Sequence, residues 1–329
     1  MHALIGELPK VDLYRHAEAA ARLDRLLARR HGHASYDWAS RRAEVRLETP
    51  PGLVRLDRIG AGLALPTETL ERDPENIIAR IADALEDAAA DGAVLVEVRF
   101  GRATILYPEF MGAFRAAEDR VRTRYPWLNA EALITLYPHE DSAVLLDACL
   151  VAAREGLAGI DLIPLPHNDE AACGPLRECA ARAVDGGLGV TVHAGEFSRA
   201  NLDCALRIPG VTRIGHAVQI VTDPRLLERL ARTGMTVECS LTSNVVLGAV
   251  RSYEEHPIRR LVDHGISVTL STDNLFALAR RSRRSTRWQR PWDSPRPSCS
   301  SSRSAVSRHR SPLPTAAPRC SVASSIRGA

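Results

Sequence analysis

Three histidines and two acids stand where apolar runs turn polar. His16 closes KVDLYRH (10–16), His193 and Glu196 end LGVTVHAGE (188–196), His216 lies in TRIGHA (212–217), and Asp273 lies in ISVTLSTDN (266–274). Ser243 and Asn244 hold the same place in MTVECSLTSN (235–244), and Asn274 follows Asp273. Taken singly, each is a satisfied or solvent-facing residue at a strand end. Taken together, their equivalent positions predict that they converge. Imidazole nitrogen and carboxylate oxygen are the donors of a zinc-type site, and a catalytic zinc takes three protein ligands and a water. Such a site lowers the pKa of water from about 15.7 to about 7, which makes a nucleophile available at neutral pH.

The elements that would position these residues follow one rhythm. AVLVEVRF (93–100) is an apolar run of strand length, preceded by ENIIARIADALEDAAADG, a helical pattern ending at Gly92. ALITLYP (132–138) and GIDLIPL (159–165) are further strands, with helices around 141–155 and 171–184. PRLLERLARTG (224–234) and HPIRRLVDHG (256–265) are amphipathic helices ending at glycine. With KVDLYRH and the four later strand-then-loop units, eight strands alternate with helices, which predicts a (β/α)8 TIM barrel with its chemistry at the C-terminal strand ends. A doubly wound open sheet is the alternative. The excursion at 26–75, with Pro50 and Pro51, is expected to cover the barrel mouth.

The chain has 329 residues and a net charge of +3, which conceals two unlike parts. Residues 280–329 carry 12 Arg and one acid, Asp293, so this stretch is +11 and the remainder about −8. The division expected is a barrel over 1–274, incomplete at its last helix, and an Arg/Ser/Pro-rich tail over 275–329. The tail reads as disordered, as a basic nucleic-acid arm, or, the reading favoured here, as the product of a frame shift near residue 275. The acidic body gives no reason to expect nucleic acid. No apolar run is long enough to span a membrane and the N-terminus lacks a signal-peptide pattern, so a cytoplasmic location is expected. The seven cysteines, without CxxC pairs, are expected to be reduced and mostly buried.

The quoted segments resemble the adenosine deaminase family. HAGE (193–196), RIGHA (213–217), LTSN followed by LG (241–248) and STDN (271–274) occur in the family's order, and LPKVDLYRHAEA (8–19) resembles its opening LPKxELHxHLxG. The resemblance spans residues 8–274. It implies a zinc-dependent (β/α)8 hydrolase that converts adenosine, or a related 6-aminopurine nucleoside, to the 6-oxo product and ammonia. On this resemblance His16, His193 and Asp273 would bind Zn2+. Glu196 would protonate purine N1, and His216 would orient and support the attacking hydroxide. Glu18 would hold the ribose 5′-hydroxyl, and Asn274, where the family usually has Asp, would face N7. The implied partner is a small-molecule purine nucleoside, with neither nucleic acid nor membrane, and the oligomeric state is left open. Three departures bear on this. Tyr14 replaces the first histidine of the HxH pair, Ala19 replaces a glycine, and IPLPHNDE replaces the short glycine-bearing loop after GIDL. Tyr14 and the tail support the alternative, a catalytically impaired family member or truncated gene product.

Overall fold

The computed structural model describes residues 9–17, 25, 49–64, 74–138, 142–164 and 173–273. Glu18, Ala19, Asn274, most of the 26–75 excursion, most of IPLPHNDE and all of 275–329 lie outside the described residues.

Runs of β-branched and aliphatic residues form the strands. β1 (Lys10–His16), β2 (Ala93–Phe100), β3 (Asn129–Leu136), β4 (Gly159–Leu162), β5 (Gly189–Ala194), β6 (Val211–His216), β7 (Thr236–Cys239) and β8 (Val268–Leu270) form one eight-stranded sheet in chain order. Every ladder is parallel, so each connection must cross over. The described crossovers are helical: α1 (Leu53–Ala64) and α2 (Pro74–Ala90) precede β2, then come α3 (Phe110–Arg122), α4 (Ser142–Ala153), α5 (Cys173–Asp185), α6 (Arg199–Ala205), α7 (Pro224–Thr233), α8 (Leu241–Leu247) and α9 (Ile258–Asp263). α7 illustrates the local logic. Asp223 caps it by accepting from Arg225 N at 2.9 Å, Pro224 takes the first helical position, and Gly234 ends it at φ 71°. No helix among the described residues is long and apolar enough to cross a membrane.

The sheet curls into the expected (β/α)8 barrel with one incompletely sealed seam. β8 returns to β1 only at the C-terminal end, where Asp273 N donates to Tyr14 O at 2.7 Å and His16 N donates to Asp273 O at 3.1 Å. Beside this bridge the Asp12 carboxylate accepts from Thr272 N at 3.2 Å and Thr272 Oγ1 at 2.6 Å, and pairs with Arg15 at 3.0 Å. Beside the seam Val11 is 43% and Leu270 58% exposed. The apolar core lies between sheet and helices; Phe100 of β2 packs edge-on against Phe110 and Phe114 of α3.

Two expectations need correction. MTVECSLTSN is strand then helix and not strand then loop: β7 stops at Cys239 and residues 241–247 form α8. Short polar residues after Cys239 have little to gain on a pleated surface. The cysteines are not all reduced, since Cys173 and Cys204 are joined. The helices that follow successive strands β4 and β5 lie side by side, which brings these Cα atoms to 5.6 Å, within disulfide reach. Cys149, Cys179 and Cys239 are buried free thiols, as expected.

Candidate active site

The parallel register brings His16, His193, Glu196, His216 and Asp273 to one end of the barrel. His16 Nε2 lies 3.3 Å from His193 Nε2 and 3.6 Å from Asp273 Oδ1. Glu196 follows Gly195, whose φ of 72° turns the chain back toward the mouth. A Cβ at Gly195 would lie 3.1 Å from the Ala217 backbone. His216, Ala217 and Asp273 also hold positive φ, at 70°, 50° and 57°, and such backbone persists only where surroundings over-determine it.

His193 donates from Nδ1 to Asp161 Oδ1 at 2.9 Å, which leaves its Nε2 without a proton and facing His16. Burial, then the neighbouring His193, pushes the His16 pKa down to about 3, so its ring is neutral. Two facing imidazole nitrogens with a carboxylate alongside make a donor set that fits a divalent cation. His16, Asp161 and His193 bring ligand atoms within 4.8 Å of one another. Asp161 is nonetheless engaged elsewhere. One oxygen holds His193, and the other lies 2.8 Å from Arg99 Nε, a charge contact off the hydrogen-bond axis. It therefore has the position of a group that orients a ligand.

Tyr14 is fully buried among these residues. Its hydroxyl contacts His193 Nε2 and lies 2.8 Å from His216 Nε2. The Arg99 guanidinium sits 3.8 Å from its ring centroid, and Gly215 admits the ring, since a Cβ there would lie 2.6 Å from Tyr14 Cε2. Burial, then the charge of Asp273, pushes the phenol well above its ordinary pKa. Tyr14 is thus a neutral hydroxyl. Burial, then Asp273, also raises the Glu196 carboxyl well above the carboxylate range. Burial raises Asp273 to about 7 and depresses His216.

Four residues near the mouth went unassigned in the sequence. Asp161 and Arg99 sat inside apolar runs. Asn244 was singled out at a strand end without a role; on α8 its Nδ2 lies 3.1 Å from Glu196 Oε1 and 3.0 Å from His216 Nδ1. His256 passed as a helix residue; it precedes α9, is buried, and reaches Asn244 Oδ1 at 3.2 Å. The described part of the 26–75 excursion packs on α8, where Arg55 Nη1 donates to Val246 O at 2.6 Å and Gly52 N to Leu247 O at 2.7 Å.

Fold and mouth together define a (β/α)8-barrel enzyme with a metal-competent centre. The sequence profile described as adenosine deaminase matches residues 67–281. An adenosine deaminase from Aliivibrio fischeri is 30% identical over 290 residues, covering 82% of this chain and 84% of the relative. One from Erwinia tasmaniensis is 34% identical over 200 residues, 58% of this chain and 59% of the relative. The chain belongs to the adenosine deaminase family, hydrolases that act on C–N bonds of cyclic amidines. Among solved structures, adenine deaminase from Arthrobacter aurescens superposes with a TM-score of 0.70 at 19% identity, covering 85% of this chain and 87% of that one. The N6-methyl-AMP deaminase of Arabidopsis thaliana gives 0.64 at 21%, covering 86% of each. A Burkholderia ambifaria amidohydrolase with bound Zn gives 0.67 at 22%, covering 86% of this chain and 80% of that one.

Proposed function

We propose that this chain deaminates adenosine, or a closely related 6-aminopurine nucleoside, hydrolytically with zinc. The observation that carries the reading is the placement of Glu196, a buried carboxyl 3.7 Å from His216 Nδ1 whose surroundings disfavour its charged form, at the same mouth as His16, His193 and Asp273. His16, His193 and Asp273 would hold the metal. When bound, zinc supplies a water acidic enough to act as nucleophile at neutral pH. Addition at C6 places negative charge on the ring, and Glu196 supplies a proton at N1 to neutralise it. His216 directs an N–H toward the developing oxyanion, as a fixed donor in a dry site. Asp161 keeps His193 turned so that Nε2, not Nδ1, faces the centre. Glu18 and Asn274 are proposed to hold the ribose and purine N7. The names of the related proteins, spanning adenosine, adenine and N6-methyl-AMP, leave the 6-aminopurine core as the common feature.

The test is to load the full-length protein with zinc and follow ammonia release and the fall in purine absorbance with adenosine, adenine and AMP in parallel. Adenosine turnover supports the reading. Turnover of adenine or AMP alone reassigns the substrate. No turnover by folded, zinc-loaded protein favours the impaired-enzyme reading, which Tyr14 motivates.

A further inference from the structure

His256 is buried, lies 12 residues beyond Asn244, and reaches its side chain at 3.2 Å. Its contacts dictate where protons sit at the mouth. His256 Nδ1 accepts the backbone N–H of Ile258 at 3.2 Å. A ring nitrogen that accepts carries no proton, and burial holds the His256 pKa down at about 4, so the neutral ring has its hydrogen on Nε2. That N–H points at Asn244 Oδ1, 3.2 Å away. The Asn244 amide is thereby oriented, because the opposite orientation would set its NH2 against another donor. Its two N–H groups then serve Glu196 Oε1 at 3.1 Å and His216 Nδ1 at 3.0 Å. His216 Nδ1 must accept, so the His216 proton lies on Nε2. Tyr14 Oη accepts that hydrogen bond at 2.8 Å and contacts His193 Nε2, the nitrogen turned to the metal centre, while the His193 proton sits on Nδ1 toward Asp161. One assignment satisfies every contact from Ile258 N to Asp161.

We propose, resting on the deaminase reading above, that His256 is a positioning residue: through Asn244 it fixes His216 as the Nε2–H tautomer and holds the Glu196 carboxyl beside it. His216 then meets the reaction as a hydrogen-bond donor to developing negative charge, and not as the base that first removes a proton.

Nitrogen-15 histidine NMR on the full chain reads the tautomer without reference to activity. Wild type should show His216 with a bare Nδ1 and a protonated Nε2. Asn244→Asp replaces a donor by an acceptor of the same shape and should reverse that pattern. His256→Phe removes the N–H that orients Asn244. It should give mixed His216 tautomers and lower kcat about 10- to 100-fold with a smaller change in KM. His256→Gln returns an N–H to the same place and should restore the single tautomer and most of kcat. A wild-type His216 protonated on Nδ1, or an Asn244→Asp spectrum like wild type, overturns the proposal even if His256→Phe fails to fold. So does a folded His256→Phe with unchanged tautomer and kcat. A protein that deaminates no purine would sink the functional reading, while the spectra would still decide the positioning claim.

Discussion

Glu196 and Tyr14 fix the chemistry at the scale of single side chains, and they pull in opposite directions. Burial and the Asp273 charge raise the Glu196 carboxyl well above the carboxylate range, which favours the form that has a proton to give. Glu196→Gln keeps the shape and an N–H but removes a transferable proton. Zinc content by elemental analysis should stay unchanged while turnover falls by a factor of roughly 10² to 10⁴. Loss of zinc in that variant would make Glu196 a ligand instead. Tyr14 puts a neutral hydroxyl against His193 Nε2 where the family has an imidazole, and a phenol must shed a proton to serve as a good ligand. Tyr14→His should therefore raise both the zinc retained after dialysis and the rate of adenosine loss. A native protein that already retains one zinc, with Tyr14→His altering neither quantity, would show that the position does not weaken the site. Residue types at strand ends made His16, His193, Glu196, His216 and Asp273 legible in the sequence, because parallel strands in a barrel bring equivalent positions together. Asp161, Arg99 and His256 were not legible. Their roles depend on what they face across the barrel, and nothing in their immediate neighbours reports it.

At the scale of elements, the seam between β1 and β8 carries the most consequence for the site. The Asp12 carboxylate does work that a ladder would otherwise do, holding Thr272 by backbone and hydroxyl one residue before Asp273. Arg15 balances its charge in a buried pair. Asp12→Ala leaves Arg15 uncompensated and Thr272 N unsatisfied. It should cost about 3 kcal/mol in urea unfolding and lower zinc affinity by freeing the turn that presents Asp273. Should stability stay within about 0.5 kcal/mol of wild type and the Thr272 and Asp273 amides keep their hydrogen-exchange protection, the seam does not depend on Asp12. Elements with strong local signals, such as α7 with its Asp-Pro start and Gly234 end, were readable in advance. The helix α8 was not, because it is only seven residues long and Ser240 before it makes no side-chain capping bond. The Cys173–Cys204 link was hidden by its 31-residue separation. Only the side-by-side placement of α5 and α6 reveals it.

At the scale of the whole barrel, the interior departs from the aliphatic layers that usually fill this fold. Glu97 and Arg99 of β2, Asp161 of β4, Arg213 of β6 and Glu238 of β7 meet as ion pairs across it, with Arg99–Glu238 at 2.7 Å and Arg213–Glu97 at 2.6 Å. AVLVEVRF therefore reads as an apolar strand while its two charged residues point inward and its Val96, Val98 and Phe100 form the apolar shell. Alternation shows the two faces of that strand, but not that the polar face would be the enclosed one. Burying such charges is costly, and the network stabilises only while every member is compensated. Arg99 is central, because it touches Asp161, Glu238, the Tyr14 ring and Leu13 O at once. Arg99→Met fills a similar volume but removes the counter-charge that Asp161 and Glu238 share, leaving Glu238 to Arg213 and Asp161 to the His193 ring, so unfolding free energy should drop by about 3 kcal/mol. The site should loosen with it. Without Arg99 beside it, Asp161 takes up a proton, because burial already raises its pKa and the guanidinium is the main force opposing that shift. A neutral Asp161 holds His193 less firmly, and zinc retention should fall even at temperatures where Arg99→Met stays folded. Thermal unfolding and zinc stoichiometry on the same samples separate the two effects. If Arg99→Met melts with wild type and keeps its zinc, the charged interior neither holds the barrel together nor aims His193.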